Sequence, residues 1–205
     1  QQLPQLQAHQ RAIQLSGGYI DGGALNLGGK SFTLSLWARR AESGGTQSLM
    51  AQGQAAATGL FFGFVQDQLC VTLAGRSCTA AKESDLAWHH YACQLDRASG
   101  TLSLFRDGVL VASCQGAPEY AGTGALLIGK APWDGKTLRG QVAELAVWEL
   151  ARGLGGINQD RDVGPLGTED GMVAMWARAL LPDQTPGQLS GLWNFARSRQ
   201  HAQFC

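Results

Sequence analysis

The sequence lacks a surplus of either charge: Lys plus Arg number 16, Asp plus Glu number 16, and the formal net charge is zero. Holding nucleic acid by neutralising many phosphates requires excess cations, and an anionic membrane surface asks for the same, so neither is an electrostatic partner. Charge is sparse as well as balanced, at 16% of residues, where roughly 25% is usual in a globular domain. Hydrophobic residues reach 44%, which supplies a core and excludes intrinsic disorder. There is no apolar run of about 18 residues, and so no candidate membrane-spanning helix. Cys-x-x-Cys and His-x-x-x-His are both missing, which removes the common zinc and thioredoxin-like spacings. No Asn-x-Ser/Thr acceptor supports N-glycosylation. The chain opens Gln1-Gln2-Leu3-Pro4, without Met or a signal-like start; this reads as a mature or cut end and leaves secretion open.

What is present suits one sizeable domain: 205 residues and 21.7 kDa. Glycine, at 28 residues, is about twice its usual share. Such abundance supplies the positive-φ turns of a many-stranded antiparallel fold. The five cysteines are Cys70, Cys78, Cys93, Cys114 and Cys205. They suggest one or two disulfides in an oxidising compartment, with buried free thiols as the competing reading. Cys70 and Cys78 flank a hairpin at 71–77, where a local bridge fits. Cys93 and Cys114 sit in nearby strands, where a second fits. Spacing leaves the connectivity open. Cys205, the last residue, would face a partner chain or a further segment, which leaves room for an oligomer through it or through the parent protein.

From residue 13 onward the apolar pattern has period two, the signature of strands. In 31–39, Phe32, Leu34, Leu36 and Ala38 alternate with Ser31, Thr33, Ser35, Trp37 and Arg39. That predicts one face on the core and one mixed face. Further strands are read at 60–65, 69–73, 88–95, around Leu102 and Leu104, and at 109–114, 126–128, 142–148, 172–176 and 192–195. Asp107-Gly108, between two apolar runs, is a strong hairpin signal. Only 149–161 could hold a helix. Its glycines Gly153, Gly155 and Gly156 limit it to one short turn near 155–161, starting no earlier than Gly155. The expected fold is all-β: an antiparallel two-sheet jelly-roll sandwich. No linker, charge block or repeat divides it. The limits read are a polar lead-in at 1–12, a domain at 13–195 and a C-terminal tail at 196–205.

Trp88-His89-His90-Tyr91-Ala92, followed by Leu95-Asp96-Arg97-Ala98-Ser99-Gly100 and by Leu104-Phe105-Arg106-Asp107-Gly108, resembles the central signature of laminin G-like jelly rolls. Phe32-Thr33-Leu34-Ser35-Leu36-Trp37 resembles the opening strands of that family. Ile128-Gly129 and Gly140-Gln141-Val142-Ala143-Glu144-Leu145-Ala146-Val147-Trp148 resemble its closing ones. The likeness covers about 13–195 and carries fold rather than function, because the matching residues are structural. Trp88 and Trp148 read as packing residues. His89 and His90, adjacent on a strand, point to opposite faces and do not share a metal. Asp107 reads as a turn residue, and Arg39-Arg40 as a solvated pair ending a strand.

The resemblance implies a non-catalytic recognition module, secreted or on a cell surface, that binds a glycan or a surface receptor within a larger protein. Relatives often use calcium, and pentraxins are one branch. Aligned on that branch, the first calcium pair falls on Ala57-Thr58 and the acidic loop on 130–135, where only Asp134 is acidic. The double site therefore looks lost, which leaves a single calcium through Asp21, Asp67 or Asp134. Trp133 and Asp134, in the stiff loop 131–136, are the expected ligand-binding residues, with Glu119 and Tyr120 on the same face. A Trp folded back on the sandwich is the alternative. Two other functions stand beside this one. The first is a protein-interaction or oligomerisation domain. The second, a hydrolase or lyase, lacks the paired strand carboxylates such chemistry needs, because Glu144 is the only carboxylate in its strand.

Overall fold

In a computed structural model the described residues are 12–162, 171–177, 191–194 and 201–204, with side chains described for 12–162 and 171–173. The period-two runs become strands, and every pairing among them is antiparallel. One layer runs β10 (Val109–Cys114), β9 (Thr101–Arg106), β8 (His89–Asp96), β3 (Phe32–Arg40) and β12 (Arg139–Trp148). The far edge of β12 is shared by β1 (Ile13–Ser16) along its first half and β13 (Met172–Ala177) along its second. The facing layer runs β2 (Ile20–Ala24), β11 (Ala125–Ile128), β4 (Thr46–Gln52), β5 (Leu60–Val65), β6 (Gln68–Leu73) and β7 (Arg76–Lys82). β14 (Gly191–Asn194) and β15 (His201–Phe204) carry the pairing from β13 to β2. Hydrogen bonding thus passes from β10 to β7 and folds back on itself as a jelly-roll sandwich.

The inward side chains of both layers form one continuous core. Leu34 and Leu36 of β3, with Cys93 and Leu95 of β8, meet Phe62 of β5 and Val71 of β6. Each large apolar side chain removed from water contributes about 1.5–3 kcal/mol. The Asp107-Gly108 hairpin forms as its sequence predicts, with φ of 51° and 76°, as a two-residue turn of this hand requires. The same turn chemistry recurs unannounced at Gln66-Asp67, φ 50° and 65°, where no glycine marks it.

Three local expectations are corrected. First, β3 has no wet face: only Arg39 is exposed along it. Trp37 packs with Trp88 and Ala143 on the outer side of the layer, and Thr33 exchanges hydrogen bonds with Leu150 and Arg152. Arg40 is buried rather than solvated. Its guanidinium bonds Asp67 at 2.8 Å and the Glu83 carbonyl at 2.6 Å, over the Phe64 ring.

Second, the helix α1 spans Leu154–Asp162, beginning one residue before the expected limit. The Ile157 N–H donates to the Gly153 carbonyl, so Gly153 starts the turn. Ile157 is buried against Ala92 and Phe105, and the Arg152–Asp160 ion pair clamps the helix at 2.8 Å. Tertiary burial offsets the glycine penalty.

Third, the disulfide joins Cys78 to Cys114, and Cys70 and Cys93 remain free and buried. Cys78 stands opposite Val71, so Cys70, one residue along, points to the other face of its sheet. Cys93 and Cys114 flank β9, whose Leu104 and Leu102 they pair with. Two strand spacings, roughly 9–10 Å, separate them, beyond disulfide reach. The bridge that forms ties the two terminal strands, β7 and β10, across the open side of the sandwich. It closes a loop with a sequence separation of 36. Replacing both cysteines with alanine should lower the unfolding free energy by about 4 kcal/mol, read as a lower urea midpoint. An unchanged midpoint would show that the bridge is idle.

Candidate functional site

At one rim of the sandwich four segments enclose an open groove of about 500 Å³. Gly53, Gln54 and Thr58 come from the β4–β5 loop, and 120–124 from the loop before β11. Leu127 of β11 and Pro132 of the β11–β12 loop complete it. One buried side chain organises the floor. The Gln52 amide donates to the carbonyls of Leu25 and Gly124 at 2.7 and 2.9 Å, and its oxygen accepts the Tyr120 hydroxyl at 2.6 Å. Glycine permits the close approach of the walls. A Cβ on Gly28 would lie 2.1 Å from the Ala121 carbonyl oxygen, and one on Gly122 would lie 2.1 Å from the Gly28 nitrogen. The Leu27 N–H donates to the Gly122 carbonyl at 2.8 Å, fixing this contact.

The expected ligand residues divide here. Tyr120 and the loop of Trp133 meet at the groove. Tyr120 is buried, with its hydroxyl committed to Gln52, and burial pushes its phenol well above the usual range. Trp133 is half-buried. Its ring lies on Gly59 and packs over Ala51, Phe61, Cys70 and Ala131. Burial there pushes the Cys70 thiol up to about 11. Asp134 caps its own turn by accepting the Lys136 N–H at 2.9 Å, and Glu119 is exposed outside the groove lining.

The three candidate metal ligands lie on separate elements. Asp21 is on β2 and accepts the Gly23 N–H. Asp67 sits in the β5–β6 turn and is held by Arg40 and the Gly44 N–H. Asp134 is in the β11–β12 loop. The Gly44 N–H, then Arg40, hold the Asp67 carboxyl below its ordinary value. Among the described residues no three His, Cys, Asp or Glu side chains gather as a metal would need. Calcium takes six to eight oxygens, and these three carboxylates do not come together as one site for it.

A charged network lies elsewhere, beside a second groove of about 490 Å³ between β7 and β10, lined in part by Leu69, Ala80, Arg106 and Val111. His89 is held between two carboxylates: Asp107 at 2.6 Å on Nδ1 and Asp85 at 2.7 Å on Nε2. Arg106 pairs with Glu83 at 2.8 Å, and Tyr91 donates to the same carboxylate. The hydrogen bond to Asp107 raises the His89 pKa; burial opposes it and Asp85 adds to it. When protonated on both nitrogens the ring donates to both acids, and Arg106 then stands against it as a like charge. Desolvation works against ionised Asp107, yet its bonds from His89 and the His90 N–H hold its carboxyl low. His90 points the other way, edge-on to Trp37, and burial lowers it to about 4. The network missed by the sequence reading joins a loop acid to a turn acid through a strand histidine, with no fixed spacing to reveal it.

A family model described as the concanavalin A-like lectin/glucanases superfamily, Laminin_G_3, matches residues 15–157. The chain belongs to this laminin G-like family. No curated relative matches it. Among solved structures, a candidate carbohydrate-binding protein from Bacteroides ovatus superposes with a TM-score of 0.73 at 19% identity. The match covers 95% of this chain, which spans 57% of that protein's length. A heptameric SAP-like pentraxin from Limulus polyphemus gives 0.60 at 13% identity, over 79% of this chain and 90% of the other. The IT-sialidase CBM40 of Ruminococcus gnavus, bound to α2,3-sialyllactose, gives 0.59 at 12% identity, over 72% and 95%. These likenesses establish the jelly-roll fold.

In this laminin G-like domain the two histidines give stability opposite pH dependences. His90, depressed to about 4 in the fold against about 6.5 unfolded, makes stability rise with pH across that interval. His89, raised in the fold, contributes stability fully present below about pH 6.5 and lost as pH climbs through its folded value. Urea unfolding across pH 4–9 should therefore show a maximum close to neutrality, and His89→Gln should abolish the alkaline decline. An alkaline limb of the same slope in the variant would contradict the assignment.

Proposed function

We propose that this domain is a non-catalytic glycan-recognition module, secreted or displayed at a cell surface as part of a larger protein. The observation that carries the reading is the rim groove. Loops from three separate strand connections converge on it, Gln52 holds its floor, and a half-buried Trp133 lies beside it on Gly59. Concave sites with a few fixed polar groups and an aromatic margin suit a ligand that is itself half apolar ring and half hydroxyl. The carbohydrate-binding neighbours named above favour the same class. Glycoside hydrolysis needs two carboxyl groups facing one sugar, and no carboxylate lines this groove. The Cys78–Cys114 bridge supports an oxidising compartment. Among the described residues no helix is long and apolar enough to cross a membrane.

A protein-interaction role has one feature in its favour. The terminal strand β10 leaves Val109, Leu110 and Val111 exposed, at 61%, 51% and 37%. A bare, apolar edge strand can accept another chain. An oligomer through Cys205 belongs to this reading; that residue lies outside the described ones.

A glycan array should show saturable binding by the folded domain, and Trp133→Ala should weaken it at least tenfold with circular dichroism retained. A folded domain that ignores every sugar on the array would remove the glycan reading in favour of the edge strand.

A further inference from the structure

The glycan reading can be carried to a ligand class, and the step rests on that reading: we infer that the rim groove takes a neutral saccharide and needs no calcium to do so. None of the side chains that line it is ionisable at neutral pH. Its polar side chains are the Gln54 amide and the hydroxyls of Thr58 and Thr123, while the carbonyls of Gly122 and Gly124 are already taken by Leu27, Leu25 and Gln52. Amides and hydroxyls donate and accept in turn, as sugar hydroxyls do. The Tyr120 hydroxyl, which could have joined them, is already spent on Gln52. Leu127, Ala125 and Pro132 supply apolar surface for the carbon face of a ring.

An acidic sugar asks for something different. A carboxylate or sulfate entering a partly desolvated site needs a cation or several charge-assisted donors, and is costly to bury without them. The charges near the groove do not provide this. Glu119 and Asp134, on the neighbouring loops, would repel an anion. The Lys130 ammonium is drawn over the Tyr19 ring, 4.7 Å from its centroid. Lys136 is exposed in the turn that Asp134 caps. Calcium, which could bridge an anionic or a vicinal-diol ligand to the protein, finds no carboxylate in the lining and no acidic group of three among the described residues. The Gln54 amide and the two threonine hydroxyls must therefore do the recognition themselves, and affinity should be modest.

The test is isothermal titration of the folded domain with galactotriose, cellotriose, xylotriose and arabinotriose, against α2,3-sialyllactose and a sulfated galactan oligosaccharide. Each is run with 2 mM EDTA and with 2 mM calcium chloride, about the range of extracellular sites. At least one neutral trisaccharide should bind, with the same Kd in both buffers and at least tenfold more tightly than either acidic sugar. Thr123→Glu places a charge at an exposed position on the groove wall. It should cut that affinity at least tenfold without altering the melting temperature. Binding confined to acidic sugars would overturn the neutral assignment while leaving the glycan reading intact. Loss of binding in EDTA would overturn the calcium-free claim. Heat from none of the sugars, with an array equally blank, would fall on the glycan reading itself. Full affinity in Thr123→Glu would move the site away from this groove.

Discussion

Phe64 and Tyr91 meet edge-on across the gap between the two layers, with ring centroids 5.2 Å apart, and around them the alternating inward residues of β3, β5, β6, β8 and β9 close the same gap. Every other feature depends on this contact surface. Strand register follows from it, since a slip of one residue would turn each apolar side chain outward. The buried Arg40 follows too: its guanidinium lies 4.0 Å from the Phe64 centroid and draws Asp67 and the β7–β8 loop onto the end of the core. The disulfide then fastens the side where the layers would otherwise part.

A rim fixed in this way can be built from weak materials. The groove walls are glycines, alanines and threonines, residues with little packing energy of their own. They hold their positions because Gln52 bonds two carbonyls and a tyrosine at once, and because the 26–29 and 120–124 loops touch backbone to backbone. The arrangement leaves amides and hydroxyls facing outward while the ionisable groups are engaged elsewhere: Asp67 with Arg40, Asp85 and Asp107 with His89, Glu83 with Arg106. Charge holds loops to strands at the β7–β10 side, and an uncharged groove lining stands at the other.

Much of the architecture was legible in the sequence because strands announce themselves one residue at a time. The runs 60–65 and 109–114 coincide with β5 and β10, and Asp107-Gly108 is the turn its composition specifies. β4 escaped notice because a bulge between Ser48 and Met50 breaks its alternation, and Gln47 and Ser48 are polar residues buried within it. The second face of β3 was misread because Thr33 and Ser35 look wet in sequence, while Leu150 and Arg152 after β12 bond Thr33 and Trp88 and Ala143 cover Trp37. The Gln66-Asp67 turn has no glycine to betray it; Asp67 earns its place through Arg40 and Gly44. The true cysteine pair joins strands of opposite layers, a relation that local spacing does not encode. As for the site, the sequence indicated the 131–136 loop and Tyr120, and these do border one groove. It could not show that Gly53, Gly122 and Gly124 stand in the groove wall, because glycine carries no chemical signature.

The most direct measurement is the amide chemical-shift map of the labelled domain during titration with a neutral trisaccharide. The account expects saturating shifts confined to Gln54, Thr58 and residues 121–124, with the indole of Trp133 moving at the margin. Shifts clustered along Val109, Leu110 and Val111 instead, or spread around the His89 network, would contradict it.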